Sequence, residues 1–470
     1  MKMNSTIYYN EFSKKFDVEQ PSKNSCSSQS TTIDVEQPSK NSSSSQSSTN
    51  LGYKPISKKL ILDRKEVKYV AKGPFVEVCT NETDETDLSL RGYYSDSDLE
   101  RSGYTKTTPR FKLDLTTDDY DNQLRSFFEK INDIQILKIK GLGDPKKLEM
   151  FKKELGKLNI NDKFNNLSYL DLSDNALSSD NFIELNDIFL SRINSLKALN
   201  LTGNQEFGYK GVRALARSEH MKNLILLNLN ATKIGDDGVK ELASSKYLKH
   251  LSYLNLTSND ITDAGIIALA NSENFNYLTI FNLSWNDITD AGVKALADSE
   301  IMKRLTKLYL VGNHKNKIGD AGAKALADSK HITKLKLLEL SMQNIGDKGV
   351  KAIANSEKME NLTTLKLSMN NIGNEGVEAI ANSEKMENLT TLLLNSNRTG
   401  PDGAKALATS KHMENLTLLN LNYNNIGYKG GKFLADSQYF NYKIKICCGG
   451  NKVTSEITQK IYDNFPESCC

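Results

Sequence analysis

Residues 278–304 read LTIFNLSWNDITDAGVKALADSEIMKR, and much of the chain repeats this phrase. Its first half has the pattern LxxLxLxxN, in which Leu278, Phe281 and Leu283 are the apolar ladder residues. Because side chains along a strand point to alternate faces, this spacing predicts a short strand with one buried face. The second half, AGVKALADS, spaces apolar residues three and four apart, as an amphipathic helix does. Each phrase therefore predicts one strand followed by one helix.

The phrase occurs ten times, with a period of 27 residues in most steps and 28 to 30 in three. A period in this range is typical of a solenoid. No single unit could bury its apolar residues alone, so the units must stack and share a core. The sequence thus predicts an α/β solenoid, a curved horseshoe with a parallel sheet on its concave side and helices on its convex side. The ladders open at Leu167, Leu196, Leu224, Leu251, Leu278, Leu305, Leu335, Leu362, Leu389 and Leu416.

Polar positions of the phrase have predictable structural roles. Asn286 follows the strand, where its amide can bond to backbone groups that the strand leaves unsatisfied. Thr289 and Asp290 precede the helix and are predicted to supply its N-cap oxygen. Aspartates in the same slot of other units, such as Asp236 and Asp263, are interpreted as helix starts rather than catalytic groups.

Composition and spacing divide the chain into five predicted segments. Residues 17–33 return nearly unchanged as residues 34–50, and this Ser-, Gln- and Asn-rich duplication has almost nothing to bury. Residues 51–108 mix strand-like and acidic stretches. Irregular units should cap both ends of the stack, the first with a helix at 122–130. The segments are a disordered tail at 1–50, a partly ordered linker at 51–108, an N-terminal cap with degenerate repeats at 109–166, ten repeats at 167–442, and a C-terminal cap and tail at 443–470.

The alternation of LxxLxLxxN with an IxDxGxxALA helix resembles the ribonuclease-inhibitor-like class of leucine-rich repeats. The resemblance covers roughly residues 110–451 and implies a scaffold that binds a protein partner, although one fold can host many functions. The departures from the pattern are Thr232 and Gln343 in the asparagine slot, Gly400 with Pro401 breaking the usual start of a helix, and the insert His314, Lys315 and Asn316, which should bulge as a loop beside the sixth strand.

Composition and targeting signals favour a cytoplasmic protein. The 470 residues carry a net charge of +3, and 25% are charged, so nothing indicates a nucleic-acid partner. No run of about 18 apolar residues occurs, and the first residues lack an apolar segment, which predicts neither a membrane span nor a secretory signal. Glycans on many strand positions would also obstruct the sheet. N-L-[ST] triplets begin at Asn200, Asn255, Asn282, Asn361, Asn388 and Asn415.

Cysteine and histidine suggest no chemistry. The six cysteines contain no CxxC and have no histidines at zinc-ligand spacing, which favours free thiols in a reduced compartment. The terminal SCC resembles the double-cysteine end of prenylated Rab-type GTPases, but a CaaX signal is missing and lipidation of Cys469 and Cys470 is disfavoured. His220, His331 and His412 recur in one slot of three repeats, as repeat ancestry explains. The sequence predicts no catalytic residue, no cofactor and no metal.

Packing of the core does not fix the residue type at strand positions that face away from it. We therefore expect binding residues of the repeats at these outward positions. These positions are small and polar in early repeats, whereas repeats five to ten bear aromatic and methionine side chains. Such a cluster is typical of a protein interface. The alternative is passive covering of neighbouring strands. The predicted partner-binding residues are Trp285, Tyr309, Val311, Met342, Met369, Leu393 and Tyr423.

These observations predict a non-enzymatic, monomeric interaction protein that binds a folded protein partner on its concave face. The bias towards Asn, Lys, Ile and Ser is also typical of an effector that an intracellular bacterium delivers into host cells by non-classical secretion. Two alternatives stay open: a GTPase activator resembling the Ran-directed activator, which has a similar repeat, and a ubiquitin ligase substrate adaptor. The sequence shows neither an acidic tail after the repeats nor a recognisable recruiting domain.

Overall fold

The structure is a computed structural model that describes residues 109–130, 134–157, 164–312 and 317–470, with the backbone of four short strands between residues 61 and 79. The chain divides into two units, Met1–Asn81 and Glu82–Cys470. In the first unit, Ile61–Leu62 pairs antiparallel with Lys65–Glu66, and Lys68–Lys72 with Phe75–Cys79. The predicted tail, most of the predicted linker and the insert at 314–316 lie outside the described residues.

Thirteen parallel strands of the second unit form one sheet in chain order. They pair without a register shift, so that Leu254 lies opposite Phe281, and Phe281 opposite Leu308. This register stacks the ladder residues on one face of the sheet. The strands are Arg110–Asp114, Ile136–Lys140, Tyr169–Asp171, Ala198–Asn200, Leu226–Asn228, Tyr253–Asn255, Ile280–Asn282, Lys307–Tyr309, Leu337–Glu339, Thr364–Lys366, Thr391–Leu393, Leu418–Asn420 and Lys445–Cys447.

One α-helix follows each strand of this sheet, and consecutive helices contact one another. Within the described ranges, no helix is both long and apolar enough to cross a membrane. The helices are Tyr120–Lys130, Pro145–Gly156, Ser179–Ile188, Gly208–Arg217, Gly235–Ala243, Asp263–Ala270, Asp290–Ala297, Asp320–Ala327, Asp347–Ala354, Asn374–Asn382, Pro401–Thr409, Gly427–Ala435 and Ser455–Asn464.

A continuous hydrophobic core runs between the sheet and the helices, from Leu113 to Phe465. The ladder residues Leu278, Phe281 and Leu283 are at most 1% exposed. Each such side chain contributes about 2 kcal/mol when it is fully buried. Because the units share this core, stability depends on stacking, and the predicted α/β solenoid is confirmed.

The asparagine after each strand joins neighbouring repeats. Asn286 donates its amide hydrogens to the carbonyls of Leu256 and Leu283, both at 2.9 Å. Its Oδ1 accepts the N–H groups of Asn259 and Ile261, at 3.0 and 3.1 Å. One buried amide thus satisfies four backbone groups that the strands leave unpaired.

The two substitutions in this slot keep part of the network. Thr232 donates its hydroxyl to the Leu229 carbonyl at 2.6 Å. Gln343, which is one methylene longer, donates to the Leu310 carbonyl at 2.6 Å and accepts the Ile318 N–H at 2.8 Å. Both replacements therefore still bond to the turn backbone.

The aspartates at the helix starts have a different role from the predicted one. Thr289 does cap its own helix, since its hydroxyl accepts the Ala291 N–H at 3.3 Å. Asp290, however, accepts the N–H groups of Gly319 and Gly322, both at 2.7 Å, at the start of the helix in the next repeat. The prediction that Asp290 caps its own helix is wrong, because this side chain reaches along the solenoid axis.

The expected break at Gly400 and Pro401 is also wrong. Pro401 is the first residue of the helix Pro401–Thr409. Proline is accepted there because its missing N–H would have no partner inside the helix. The preceding repeat supplies the cap through Asn374, whose Oδ1 accepts the N–H groups of Gly400 and Gly403 at 2.7 and 3.1 Å.

Serines after the helices form a third set of bonds between repeats. Ser329 donates its hydroxyl to the carbonyl of Ala297, the last residue of the preceding helix, at 2.6 Å. The same oxygen accepts the His331 N–H at 3.2 Å and so orders the segment that leads to the next strand. Ser272 bonds in the same way to Ala243, at 2.6 Å.

The C-terminal end corrects the interpretation of the cysteines. Cys447 is bonded to Cys469, and Cys448 to Cys470. The tail also pairs with the last strand, since the Cys469 N–H donates to the Ile446 carbonyl at 2.8 Å. The prediction of free thiols is wrong for these four residues, and a bonded Cys469 or Cys470 has no thiol for a lipid.

The asparagines that begin the N-L-[ST] glycosylation triplets do not all lie on strands. The first three asparagines lie on strands and are at most 6% exposed. Asn361, Asn388 and Asn415 instead lie in the segments before strands and are exposed. The expectation that glycans would obstruct the sheet is therefore wrong for these three positions, so they give no argument for the cytoplasm.

Candidate protein-interaction surface

The concave face is built from the first and third residues of each short strand, because the second residue points into the core. In repeats six to nine the third residues are Tyr309, Glu339, Lys366 and Leu393, which we call the strand row. Each lies directly opposite the next across the parallel sheet. The register therefore brings side chains about 30 residues apart in sequence within one strand spacing, ~4.8 Å.

A second line of side chains follows the strands at the edge of this face. Trp285, Met342, Met369 and Tyr423, which we call the turn row, all have left-handed backbone, with φ of 58°, 58°, 56° and 53°. The Trp285 N–H donates to the Val311 carbonyl at 2.8 Å. The same bond joins each turn to the next repeat, so these side chains project from equivalent points along the solenoid.

The predicted partner-binding residues differ in accessibility. Tyr423 is 55% exposed, and Trp285, Tyr309, Met342 and Met369 are half-buried. The other two are covered, with Val311 at 8% and Leu393 at 6% exposure. The structure thus places all seven on the concave face or its edge, and a contact of these residues with a partner stays a prediction.

An ion pair lies in the middle of the strand row. The Nζ of Lys366 is 3.6 Å from an Oε atom of Glu339, and both side chains are at most 8% exposed. Burial raises the pKa of the Glu339 carboxyl, and attraction to Lys366 opposes that rise. A buried charge pair fixes the positions of both groups more than it stabilises the fold.

Sequence reasoning missed a third row, formed by the first residues of the early strands. Ile136, Tyr169, Ala198 and Leu226 pack together, with Tyr253 against them, as a small cluster separate from the main core. Period-two alternation already places these residues on the same face as the strand row. They could have been found in the sequence as the residues two positions after the leucine that opens each ladder.

The titratable side chains of the described residues form no cluster of metal-binding type. No three His, Cys, Asp or Glu side chains there lie close enough together to hold a metal ion. Of the recurring histidines, His331 has its Nδ1 3.4 Å from a Glu300 Oε atom, and His220 has its Nδ1 3.4 Å from the Asn194 Oδ1. These contacts connect loops of adjacent repeats.

The fold and this surface define a class of proteins, solenoids that present side chains from successive parallel strands on one face. Within that class the chain belongs to the leucine-rich repeat family. The family described as Leucine Rich repeat matches residues 192–216, 220–243, 247–270, 276–297, 305–327, 331–354, 358–381 and 412–435. The ladders that open at Leu167 and Leu389 lie outside these matches.

Several solved structures are similar to the chain, whereas no curated protein matches it. An internalin (inlF) from Listeria monocytogenes str. 4b F2365 is 23% identical over 67% of this chain and 73% of its own, with a TM-score of 0.44. The Rad7 and Elc1 complex in yeast matches at 13% identity over 74% and 81%, with a TM-score of 0.46. The plant peptide hormone receptor RGFR1 in complex with RGF2 matches at 15% over 73% and 51%, with a TM-score of 0.39.

Proposed function

We propose that the chain is a non-enzymatic scaffold that binds a folded protein partner through the concave face of repeats five to ten. The observation that carries this proposal is the turn row. Trp285, Met342, Met369 and Tyr423 hold large side chains at left-handed positions, where a residue with a Cβ costs about 1 kcal/mol relative to glycine. The same left-handed turn holds the small residues Ala231, Ser258 and Ser396 in other repeats, so this row is distinguished by the size of its side chains.

The strand row supports the same surface. Its Glu339 and Lys366 are held rigidly by their ion pair, and Tyr309 lies directly beside Glu339. A partner would therefore meet half-buried aromatic and thioether side chains that lie over a fixed, buried ion pair. Aromatic anchors beside buried polar groups are typical of the residues that dominate binding energy.

The proposal also includes the subclass of leucine-rich repeat and the cellular compartment of the protein. Repeats of 27 to 30 residues with an α-helix on the convex side support a ribonuclease-inhibitor-like class. The two disulfides favour an oxidising compartment over the cytosol. Delivery into a host cell is compatible with that location if the protein is exported first.

The test is comparative affinity capture with the full-length chain. A variant with Trp285→Ala, Tyr309→Ala and Met342→Ala removes three large side chains of the proposed surface. The matched control carries Tyr209→Ala, Ile267→Ala and Tyr428→Ala, because these side chains are 44%, 42% and 48% exposed on helices of the opposite face.

We expect the wild-type and control chains to capture the same partner and the concave variant to lose it. A purified pair should then show at least a thirty-fold loss of affinity, since a hot-spot residue contributes about 2 kcal/mol or more. Identical capture by all three chains would contradict the proposal. Hydrolysis assays with a panel of small GTPases test the GTPase-activator alternative, and acceleration by the purified chain would contradict the non-enzymatic assignment.

A further inference from the structure

A groove of about 730 Å³ lies at the side of the sheet where the chain enters the strands of repeats two to six. Its walls include Lys197, Ile225, His250, Tyr277 and Arg304. These residues come just before successive strands, so repetition brings them into one line. The turn row follows the strands, which places the groove at the opposite edge of the sheet.

The groove is lined by basic and not by acidic side chains. Its lining residues include a lysine, an arginine and a histidine but no carboxylate. Lys197 and Arg304 are exposed, and neither forms an ion pair with any described residue. Unpaired cations in a concave site favour an anionic ligand.

The groove also offers ordered apolar surface. Tyr277 is 49% exposed, and its ring lies between His250, with ring centroids 6.0 Å apart, and the Arg304 guanidinium carbon, 4.8 Å from the ring centre. Ile225 is 39% exposed beside it. Because both neighbours hold the tyrosine ring in place, it loses little freedom when a ligand packs on it.

The sheet backbone at this edge is already satisfied. The Thr279 hydroxyl donates to the Ser252 carbonyl at 3.0 Å, and the Asn223 amide donates to the Asn194 carbonyl at 2.8 Å. A ligand therefore cannot add as another strand through backbone bonds. It must be recognised by the side chains of the groove.

Acidic residues in the same connecting segments argue against a polyanion. Glu219, Glu273 and Glu300 are exposed a few residues before groove residues of their own segments. Nucleic acid or an anionic membrane would place many charges near these carboxylates, with repulsion. A short peptide with a few carboxylates at suitable positions avoids them.

We propose that this groove binds an acidic, extended peptide of a partner protein, with an apolar side chain against Tyr277 and carboxylates on Lys197 and Arg304. Lys197 and Arg304 lie near strands four steps apart, which is ~19 Å at the usual strand spacing. An extended peptide spans ~3.3 Å per residue, so the two carboxylates should be about six residues apart. This site is separate from the concave face, so its failure would leave the proposed function intact.

The experiment measures fluorescence anisotropy of labelled synthetic peptides with the full-length, oxidised chain. The peptides carry a central leucine and two glutamates separated by two to eight positions in a Gly/Ser background, and a matched set carries glutamine instead. We expect tightest binding at a separation of about six, with the glutamine set at least ten-fold weaker. Equal binding of the two sets, or no dependence on separation, would overturn the proposal.

Two double variants separate the site from general charge attraction. Lys197→Gln with Arg304→Gln should weaken the best peptide about five-fold or more. Lys358→Gln with Lys411→Gln removes the same charge at exposed positions in the corresponding segments of later repeats and should leave binding unchanged. Equal loss in both variants would overturn the proposal, as would preferential binding of a single-stranded oligonucleotide or phosphatidylserine vesicles in place of the peptides.

Discussion

Asp263 caps the helix of the repeat that follows its own, because its Oδ1 accepts the Gly292 N–H at 3.0 Å. The same oxygen accepts the Thr289 N–H at 2.8 Å. Each aspartate of this kind thus joins two repeats through the unpaired donors at a helix start. Stacking is therefore held by polar bonds at the convex side as well as by the shared core.

Asp263→Ala is expected to lower the free energy of unfolding by about 1 to 2 kcal/mol, because it leaves helix donors without a partner. Asp263→Asn should cost less, since Asn374 bonds in the same way in a later repeat. Urea unfolding followed by circular dichroism measures both. Asp298→Ala, at an exposed residue after the helix, is the control and should change little. Equal losses for all three variants would contradict a capping role.

Trp285 allows a direct test of backbone strain. Because its φ is 58°, Trp285→Gly should be more stable than Trp285→Ala by about 1 kcal/mol, the reverse of the order inside a helix. Both variants lose the same indole contacts, so their comparison isolates the backbone. Thermal unfolding of the two proteins gives the difference. A more stable alanine variant would show that the turn is not strained.

Glu339 should make stability depend on pH. Burial raises the pKa of its carboxyl above the ordinary 4.5, so the folded protein holds this proton more tightly than the unfolded chain. Glu339 therefore contributes stability below pH 4.5 that is lost as the pH rises through the folded-state pKa. The free energy of unfolding of the wild type relative to Glu339→Gln should fall from pH 4 to pH 7. Glu357→Gln, at an exposed residue, should show no such trend.

The two disulfides should protect the last strand selectively. Each closes a loop with a sequence separation of 22 residues, and a closed loop of this length contributes about 3 kcal/mol. Cys469→Ser with Cys470→Ser is expected to speed hydrogen exchange in the strand Lys445–Cys447. Exchange in Tyr253–Asn255 should not change, because distant repeats of a solenoid are coupled only through their neighbours. Unchanged exchange at the last strand would show that the tail adds no protection.

Much of the solenoid could be predicted because its periods are local. The ladder residues Leu278, Phe281 and Leu283 form a core strand as the alternation predicts, and the helix after them begins at Asp290. The partner of Asp290 could not be read in the same way, since a short side chain at a helix start reaches groups of its own or of the next repeat. Only the stacking geometry decides between them.

Contacts between segments that are distant in sequence could not be predicted either. Cys447 and Cys469 meet because the tail returns to the last strand, and no local spacing indicates that return. Alternation predicts seven partner-binding residues at outward positions, yet two of them, Val311 and Leu393, are buried. Exposure on a concave sheet depends on the sizes of adjacent side chains, which alternation alone does not give.

The central claim is tested most directly by photo-crosslinking from two positions of one repeat. A benzoylphenylalanine in place of Tyr423 would lie on the proposed binding side, and one in place of Phe433 on the helix Gly427–Ala435, with exposures of 55% and 37% for the natural residues. The account predicts a crosslinked partner of defined mass from position 423 and none from position 433. A crosslink from position 433 alone would contradict it.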